Sequence, residues 1–269
     1  MFESVVVEFG SGLPGARLAL AGVDVALRCR ECVAVIGPTG AGKTSLLEVG
    51  AGLLAPARGR AFLEDGGRVL PLKSGVGLVY QFPELQFFEE TVYDDVAFGP
   101  RKLGVTGDEI DGRVERALES AGLAPSDFAS RSPSALSAGE KRRAAIAGIL
   151  ALERPFLLLD EPTAGLDPAS REGIIELLSA ESGTRGVVVV SHDLELVDRL
   201  ASRVLVMNEG RIVADGDAQD VLSDVAGLTG IGLAPPARHV LLDLVRERAP
   251  EEVPRVSEAL FAGRLAKAL

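Results

Sequence analysis

Residues 33–54 read VAVIGPTGAGKTSLLEVGAGLL, and the fold class can be predicted from this segment. The run Val33–Ile36 is short and wholly apolar, which predicts a strand buried on both faces of a sheet. The apolar spacing from Ser45 to Leu54 predicts a helix. A glycine-rich loop lies between the two. Strand, loop and helix in this order form the setting in which a phosphate-binding loop is found.

The loop itself, Gly37–Thr44, fits the pattern G-x-x-x-x-G-K-[ST]. Its successive backbone N–H groups, with the positive end of the following helix, can bind an anionic phosphate. Lys43 is predicted to reach the β- and γ-phosphates, and the Thr44 hydroxyl to coordinate Mg²⁺. We predict nucleotide contacts from nine consecutive residues, namely Gly37, Pro38, Thr39, Gly40, Ala41, Gly42, Lys43, Thr44 and Ser45.

A second apolar strand, Phe156–Leu159, runs directly into two acids, Asp160 and Glu161. Because successive side chains of a strand point in different directions, the two carboxylates can take different tasks. Asp160 is predicted to belong to the Mg²⁺ shell, and Glu161 to accept a proton from an attacking water. Together with the phosphate loop upstream, this pair predicts a nucleotide hydrolase.

Strand and helix patterns alternate along the rest of the chain, which predicts an α/β fold with a mainly parallel sheet. One strand is predicted over Phe62–Leu72. From about Asp224 the pattern changes. Gly227–Pro236 is predicted to be a linker, followed by helices at Ala237–Arg248 and Ser257–Leu265.

Composition excludes several functional classes. The 28 Lys and Arg against 39 Asp and Glu give a net charge of −11, so no broad nucleic-acid contact is expected. The pair Cys29 and Cys32 forms a C-x-x-C, for which a turn before the strand is favoured over a metal or redox site, since no second ligand pair follows. No signal peptide is expected, and the apolar runs are too short to span a bilayer.

These motifs together resemble those of the ATP-binding-cassette (ABC) ATPases, over about residues 1–225. The resemblance implies a P-loop NTPase-like core with a mainly parallel sheet, an antiparallel β subdomain and a helical subdomain at about residues 83–150. A small C-terminal helical appendage would cover residues 226–269. The diagnostic segments occur in the family's order: Walker A at Gly37–Thr44, the Q-loop Gln81, the signature Leu136–Glu140, Walker B at Phe156–Glu161, the D-loop Ala164–Asp167 and the H-loop Ser191–Asp193.

The resemblance also implies site residues and a second subunit. In a head-to-tail dimer, Walker A of one subunit faces the signature of the other across ATP, and the partner is either a copy of this chain or a paralogue. Asp167 would couple the two sites. The implied catalytic set is Lys43, Gln81, Glu161 and His192; the Mg²⁺ set is Thr44, Gln81 and Asp160; the remaining nucleotide contacts are Ser137, Gly139, Glu140 and Phe9.

Two features of the implied site depart from the family pattern. The signature has Ala138 where glycine is usual and Glu140 where glutamine is common. The aromatic residue that stacks on adenine is not marked clearly, because the usual position falls at Ser11 or Gly12, and Phe9 is the nearest candidate.

A closer resemblance, to the energy-coupling-factor (ECF) and cobalt/nickel-uptake ATPases, lies in Tyr80–Val92, Asp94–Pro100 and Lys141–Gly148. It implies an importer subunit for a vitamin or a transition-metal ion, peripheral on the cytoplasmic face of the cell membrane. The segment after Gln81 would form part of a groove for helices of a membrane-embedded partner. Phe82, Phe87 and Phe88 would then be partly exposed apolar anchors, and the alternative is that they are core residues.

Two other functions are weighed against the importer. An ABC exporter ATPase shares all the core motifs, and only the segment after Gln81 and the C-terminal tail favour import. A soluble ABC ATPase of DNA maintenance would need a coiled-coil or zinc-binding insertion between Ser45 and Ala135, where no long heptad run and no cysteine occur. The sequence does not identify the transported substrate.

Overall fold

The computed structural model describes residues 1–10, 15–65, 67–254, 256, 257 and 260. The strands within these residues are β1 Phe2–Phe9, β2 Arg17–Val25, β3 Cys32–Ile36, β4 Arg58–Ala61, β5 Leu63–Asp65, β6 Arg68–Leu70, β7 Val76–Val79, β8 Phe156–Asp160, β9 Gly186–Val190, β10 Arg203–Asn208 and β11 Arg211–Asp217. The helices are α1 Lys43–Gly50, α2 Leu72–Gly75, α3 Val92–Lys102, α4 Asp108–Ser120, α5 Pro125–Phe128, α6 Ala138–Leu150, α7 Pro168–Ser182, α8 Leu194–Leu200, α9 Ala218–Ser223, α10 Val225–Gly230 and α11 Ala237–Arg248.

The central sheet has six strands in the order β11-β10-β3-β9-β8-β7. Its neighbouring strands are parallel except for the pair β10 and β11, which is antiparallel. The carboxyl ends of β3, β9, β8 and β7 therefore meet at one edge. The mainly parallel α/β sheet predicted from the sequence is confirmed.

The apolar run of β3 is divided between two cores. Val33 and Val35 pack with residues of β1, β2 and α1, such as Val5 and Leu47. Ala34 and Ile36 point the other way, into the core formed with the surrounding helices. Every residue of the strand is buried. Alternation of side chains between two apolar layers explains why the sequence of this strand shows no polar positions.

A second, three-stranded sheet covers one face of the molecule. Its order is β2-β1-β4 and both pairings are antiparallel. Helices α3, α4 and α6 pack on one another. In the sequence they come between β7 and β8. The predicted boundaries of a helical subdomain at about 83–150 and of an appendage at 226–269 stay predictions.

Two local predictions were wrong. Phe62–Leu72 is not one strand, because β5 and β6 pair with each other as a hairpin and Leu72 begins α2. The predicted linker contains α10, which the Asp224 side chain caps by accepting a hydrogen bond from the Gly227 N–H at 2.9 Å. Strand pairing determined the structure in the first place and a helix cap in the second, and composition reveals neither.

The C-terminal part packs on the rest of the chain through α11. Its His239 is buried and contacts Asp198 of α8, with 3.1 Å between Nε2 and Oδ1. The helix predicted at Ala237–Arg248 is present, whereas most of the one predicted at Ser257–Leu265 lies outside the described residues. Across the part of the chain that is described, no helix combines the length and the apolar character needed to cross a bilayer.

Candidate active site

Most of the predicted functional residues converge on a cleft of about 480 Å³ at the carboxyl edge of the central sheet. Strand pairing places them there, because Val190 of β9 lies beside both Val35 of β3 and Asp160 of β8. The sequence-predicted residues that line this cleft are Phe9, Thr39, Gly40, Gly42, Lys43, Thr44, Ser45, Gln81, Asp160, Glu161 and His192.

The glycine-rich loop is held tightly between two strands. Gly37 has φ of +154°, and a Cβ there would lie 2.1 Å from the Met207 carbonyl oxygen of β10. Gly42 has φ of +99°, and a Cβ there would lie 2.3 Å from the Ala19 carbonyl oxygen of β2. Both positions exclude a side chain on two grounds, backbone conformation and space. The loop shape is thus fixed by the fold.

Lys43 begins α1 and lies back over the loop. Its Nζ donates hydrogen bonds to the carbonyl oxygens of Gly37 at 2.7 Å and Pro38 at 3.0 Å. Burial lowers the pKa of Lys43, while the nearby carboxylates of Glu161 and Asp160 oppose that shift. The ammonium group is therefore the buried positive charge of the cleft, next to the backbone groups predicted to bind phosphate.

The other loop residues have different surroundings. The Ala41 side chain is buried in the core under the loop, and its N–H donates to the Pro38 carbonyl oxygen at 3.1 Å. None of Gly37, Pro38 and Ala41 is among the described residues that line the cleft.

Thr44 and Asp160 bring a hydroxyl and a carboxylate together. The Thr44 Oγ1 donates to Asp160 Oδ2 at 2.8 Å. Mg²⁺ prefers such oxygen donors and is bound through one or two carboxylates together with substrate phosphates rather than in an all-protein cage. No cluster of three or more His, Cys, Asp or Glu side chains suited to a metal is found in the described parts of the chain. The donor pair fits Mg²⁺ bound with a nucleotide.

Glu161 has a fixed carboxylate and a strained backbone. Its φ is +48°, in the left-handed region that non-glycine residues seldom adopt, and its N–H donates to Val190 O at 2.9 Å. The carboxylate accepts hydrogen bonds from the His192 N–H at 2.9 Å and from Ser191 Oγ at 3.4 Å. Burial raises the pKa of Glu161, and the hydrogen bond from His192 opposes the shift. A basic, oriented carboxylate results.

The His192 side chain lies beside the same carboxylate. Its Nε2 is 3.6 Å from Glu161 Oε1. Burial, followed by the charge of Lys43, lowers the pKa of His192, so the imidazole is neutral near pH 7. A neutral ring can donate or accept one hydrogen bond at each nitrogen.

Arg17 is a cleft residue that the sequence analysis missed. Its Nη2 donates to the Gly40 carbonyl oxygen at 3.0 Å, and its side chain lines the cleft near Phe9. Phe9 is 46% exposed, at the end of β1. No motif marks Arg17, because its position depends on the register of β2 against the loop. Ser11 and Gly12, where the family's usual stacking position falls, lie outside the described residues.

The signature residues lie elsewhere in the chain's structure. None of Ser137, Gly139 and Glu140 is among the described residues that line the cleft. Ser137 caps α6 in a reciprocal arrangement: its Oγ accepts from the Glu140 N–H at 3.3 Å, and its own N–H donates to Glu140 Oε2 at 2.7 Å. A capping box takes glutamate or glutamine at this position, so Glu140 is compatible with the start of the helix.

The two small residues of the signature differ in their surroundings. Ala138 is exposed, so its methyl group meets no crowding within the chain. A Cβ on Gly139 would lie 2.1 Å from Ser170 Oγ at the start of α7. The fold therefore requires glycine at position 139 and tolerates alanine at position 138. Asp167 caps α7 by accepting from the N–H groups of Ala169 and Ser170, both at 3.0 Å.

Comparisons with known proteins identify relatives over nearly the whole chain. A family described as ABC transporter matches residues 20–164. The energy-coupling factor transporter ATP-binding protein EcfA2 of Clostridium perfringens is 41% identical over 258 residues, which cover 91% of this chain and 90% of that protein.

Solved structures agree with this assignment. The structure of cbiO1 from Clostridium perfringens, part of the ABC transporter complex cbiONQ, has a TM-score of 0.74 at 29% identity and covers 95% of this chain and 97% of its own. The dimeric ATP-binding cassette MJ0796 bound to ADP and Pi has a TM-score of 0.68 at 26% identity, covering 81% of this chain and 97% of its own.

The family resemblance inferred from the motifs is confirmed, as are the fold class, the ATPase class and the energy-coupling-factor branch. The exporter and the DNA-maintenance ATPase are correspondingly disfavoured. On sequence, fold and the arrangement of the cleft, the chain belongs to the ABC transporter family of ATPases, in the branch of the energy-coupling factor transporter ATP-binding proteins.

Proposed function

We propose that this chain binds ATP with Mg²⁺ in the cleft, hydrolyses it with Glu161 as the general base, and thereby powers an importer of a vitamin or a transition-metal ion. One observation carries the proposal: a buried ammonium, a hydroxyl–carboxylate pair and an oriented basic carboxylate share one cleft at the sheet edge. Phosphoryl transfer depends on positioning and charge stabilisation, which these groups supply.

The residues of the cleft divide the tasks of binding and hydrolysis between them. The loop N–H groups and Lys43 bind the phosphates, and Thr44, Asp160 and Gln81 would hold Mg²⁺. The ion, when bound, neutralises charge on the β- and γ-phosphates. Glu161 takes the proton of the attacking water. Hydrogen bonds donated by His192 and Ser191 fix its carboxylate, and its raised pKa makes it a better base. Neutral His192 orients the γ-phosphate.

The signature position supports a second subunit. Ser137 and Gly139 lie at the N-terminus of α6, a site suited to phosphate, yet they do not line their own chain's cleft. A head-to-tail dimer brings the signature of one subunit to the ATP of the other. The dimeric neighbour with ADP and Pi is consistent with this arrangement. The second subunit is a copy of this chain or a paralogue.

The segment after Gln81 supports a membrane partner. A groove of about 260 Å³ runs between this segment, α3 and α6, and its walls include Phe88, Phe98 and Ile149. Phe88 is 61% exposed and its ring meets that of Phe98 edge-on at 4.7 Å. Phe82 is also exposed, whereas Phe87 is half-buried against the core. An apolar groove of this kind fits a helix of a membrane protein, with this chain at the cytoplasmic face.

Phe88→Asp is expected to abolish co-purification of the membrane partner, because a charge in the groove opposes burial of apolar surface. The measurement is an affinity pull-down from native membranes, with every co-purifying protein identified. Val69→Asp is the matched control, since Val69 is also 61% exposed but lies on β6. Recovery of soluble proteins alone with the unmodified chain would contradict the transport proposal.

The kcat for ATP hydrolysis is expected to fall as the pH is lowered through the raised pKa of Glu161. The ionised carboxylate is the active form, so activity is present above this pKa and lost below it. Because burial raises the pKa, the acidic limb lies above the ordinary range of a glutamate. The profile is measured at saturating ATP from about pH 5 to pH 9. A kcat that stays constant throughout would argue against Glu161 as the base.

A further inference from the structure

Arg142 of α6 is the largest fully buried side chain that carries a charge in the described structure, with 1% of its surface exposed. It stands in the basic run Lys141–Arg143, which in a sequence is typical of a solvated helix face. A buried guanidinium requires both a counter-ion and acceptors for its N–H groups, because an unpaired charge inside a protein is strongly destabilising.

The counter-ion is Glu84, bound by two hydrogen bonds. Arg142 Nε donates to Glu84 Oε2 at 2.7 Å, and Nη2 donates to Oε1 at 3.1 Å. Glu84 lies in the short 3₁₀ turn Pro83–Gln86, directly after Gln81 and Phe82. The Phe82 ring lies 5.5 Å from the guanidinium carbon. One side of Arg142 is thus joined to the segment beside the groove.

The other N–H groups of Arg142 reach the loop that follows β8. They donate to the carbonyl oxygens of Pro162 at 2.9 Å, Ala164 at 3.2 Å and Glu161 at 3.4 Å. This loop contains Glu161, whose left-handed backbone persists only if its surroundings hold it there. The second side of Arg142 therefore supports the backbone of the proposed base.

We propose that Arg142 and Glu84 are positioning residues that hold the Glu161 backbone in its active geometry and transmit movement of the Pro83–Gln86 turn to it. This inference rests on the proposed function, in which Glu161 is the base and the turn meets the membrane partner. A shift of Glu84 draws the guanidinium away from the carbonyl groups of residues 161–164. The rate of ATP hydrolysis then depends on whether the membrane partner occupies the groove.

Lysine at position 142 keeps the charge but cannot bridge Glu84 and three carbonyl groups at once. In the complete transporter complex in lipid vesicles, Arg142→Lys is expected to lower kcat about 10- to 100-fold, with the KM for ATP changed less than about 3-fold. Glu84→Gln, which keeps an acceptor for Arg142 but not its counter-charge, is expected to lower kcat in the same direction. ATP binding, measured by fluorescence titration, is expected to be unchanged in both.

The control is Arg203→Lys. Arg203 makes a similar two-bond pair with Asp215, at 2.6 and 2.7 Å, and also donates to a backbone carbonyl oxygen. It lies beside Val33, at the opposite end of β3 from the loop. This variant is expected to keep a normal kcat.

The outcomes separate this inference from the function on which it rests. If Glu161→Gln is inactive while both pair variants keep wild-type kcat, the pairing inference fails and the proposed base stands. If Glu161→Gln hydrolyses ATP normally, the proposed base itself fails. Loss of ATP binding together with kcat in the pair variants would show a general structural role and overturn the positioning inference.

Discussion

Replacing Glu161 with glutamine is expected to lower the kcat for ATP hydrolysis by at least ~100-fold while leaving ATP binding intact. Glutamine has the same shape, and its one amide oxygen can still accept the hydrogen bond from the His192 N–H while its NH2 group faces Ser191 Oγ, but it cannot take a proton from water. Lys43 and the loop N–H groups, which are proposed to bind the phosphates, are unchanged. The effect falls on kcat rather than on affinity for ATP.

The same variant is expected to unfold at a higher temperature without nucleotide. Burial raises the pKa of Glu161 in the folded chain, so above this pKa the ionised carboxylate lowers the free energy of unfolding. Neutral glutamine removes that cost. Turnover assays, ATP titration and thermal unfolding at pH 7 test the three effects, with Glu119→Gln on the exposed surface of α4 as control. Hydrolysis close to the wild-type rate would remove Glu161 from the role of base.

Lys43→Met is expected to weaken ATP binding by at least ~100-fold and to abolish hydrolysis with it. Methionine fills a similar volume but supplies neither the positive charge of the cleft nor the donor now bonded to Gly37 and Pro38. The affinity is measured by isothermal titration calorimetry with ATP and Mg²⁺.

The control for this variant is Lys73→Met, since Lys73 is an exposed lysine of α2, away from the cleft. Thermal unfolding of both variants shows whether the fold is retained. Tight ATP binding by a folded Lys43→Met protein would contradict the role of this lysine.

Local patterns were sufficient for the elements that form the cleft. Val33–Ile36 was predicted as a strand buried on both faces because both of its faces are apolar, and it is buried on both. Alternation of strands and helices predicted the parallel sheet, and parallel strands bring Ile36, Val79 and Asp160 to the same edge. Once that edge is known, it follows that the Walker A, Q-loop, Walker B and H-loop residues lie at one cleft.

Residues that act through tertiary contacts could not be predicted in the same way. Arg17 reaches Gly40 only through the register of β2, and Arg142 stands in a basic run that gives no sign of burial. The hairpin of β5 and β6 replaced a single strand because the chain reverses between Asp65 and Arg68. In the first two cases the deciding contact partner is distant in sequence. In the third, a turn that hydropathy does not specify reverses the chain.

The capping box at the start of α6 means that, in the proposed dimer, ATP meets an intramolecular competitor. Glu140 is tethered three residues from the Ser137 N–H that it occupies, so its effective concentration there is high. Hydrogen bonds from Ser137 lower the pKa of Glu140, which therefore stays ionised at neutral pH. A γ-phosphate from the second subunit has to displace this carboxylate. In that dimer, the net stabilisation from the γ-phosphate at this position would be its own binding free energy less that of the carboxylate it replaces.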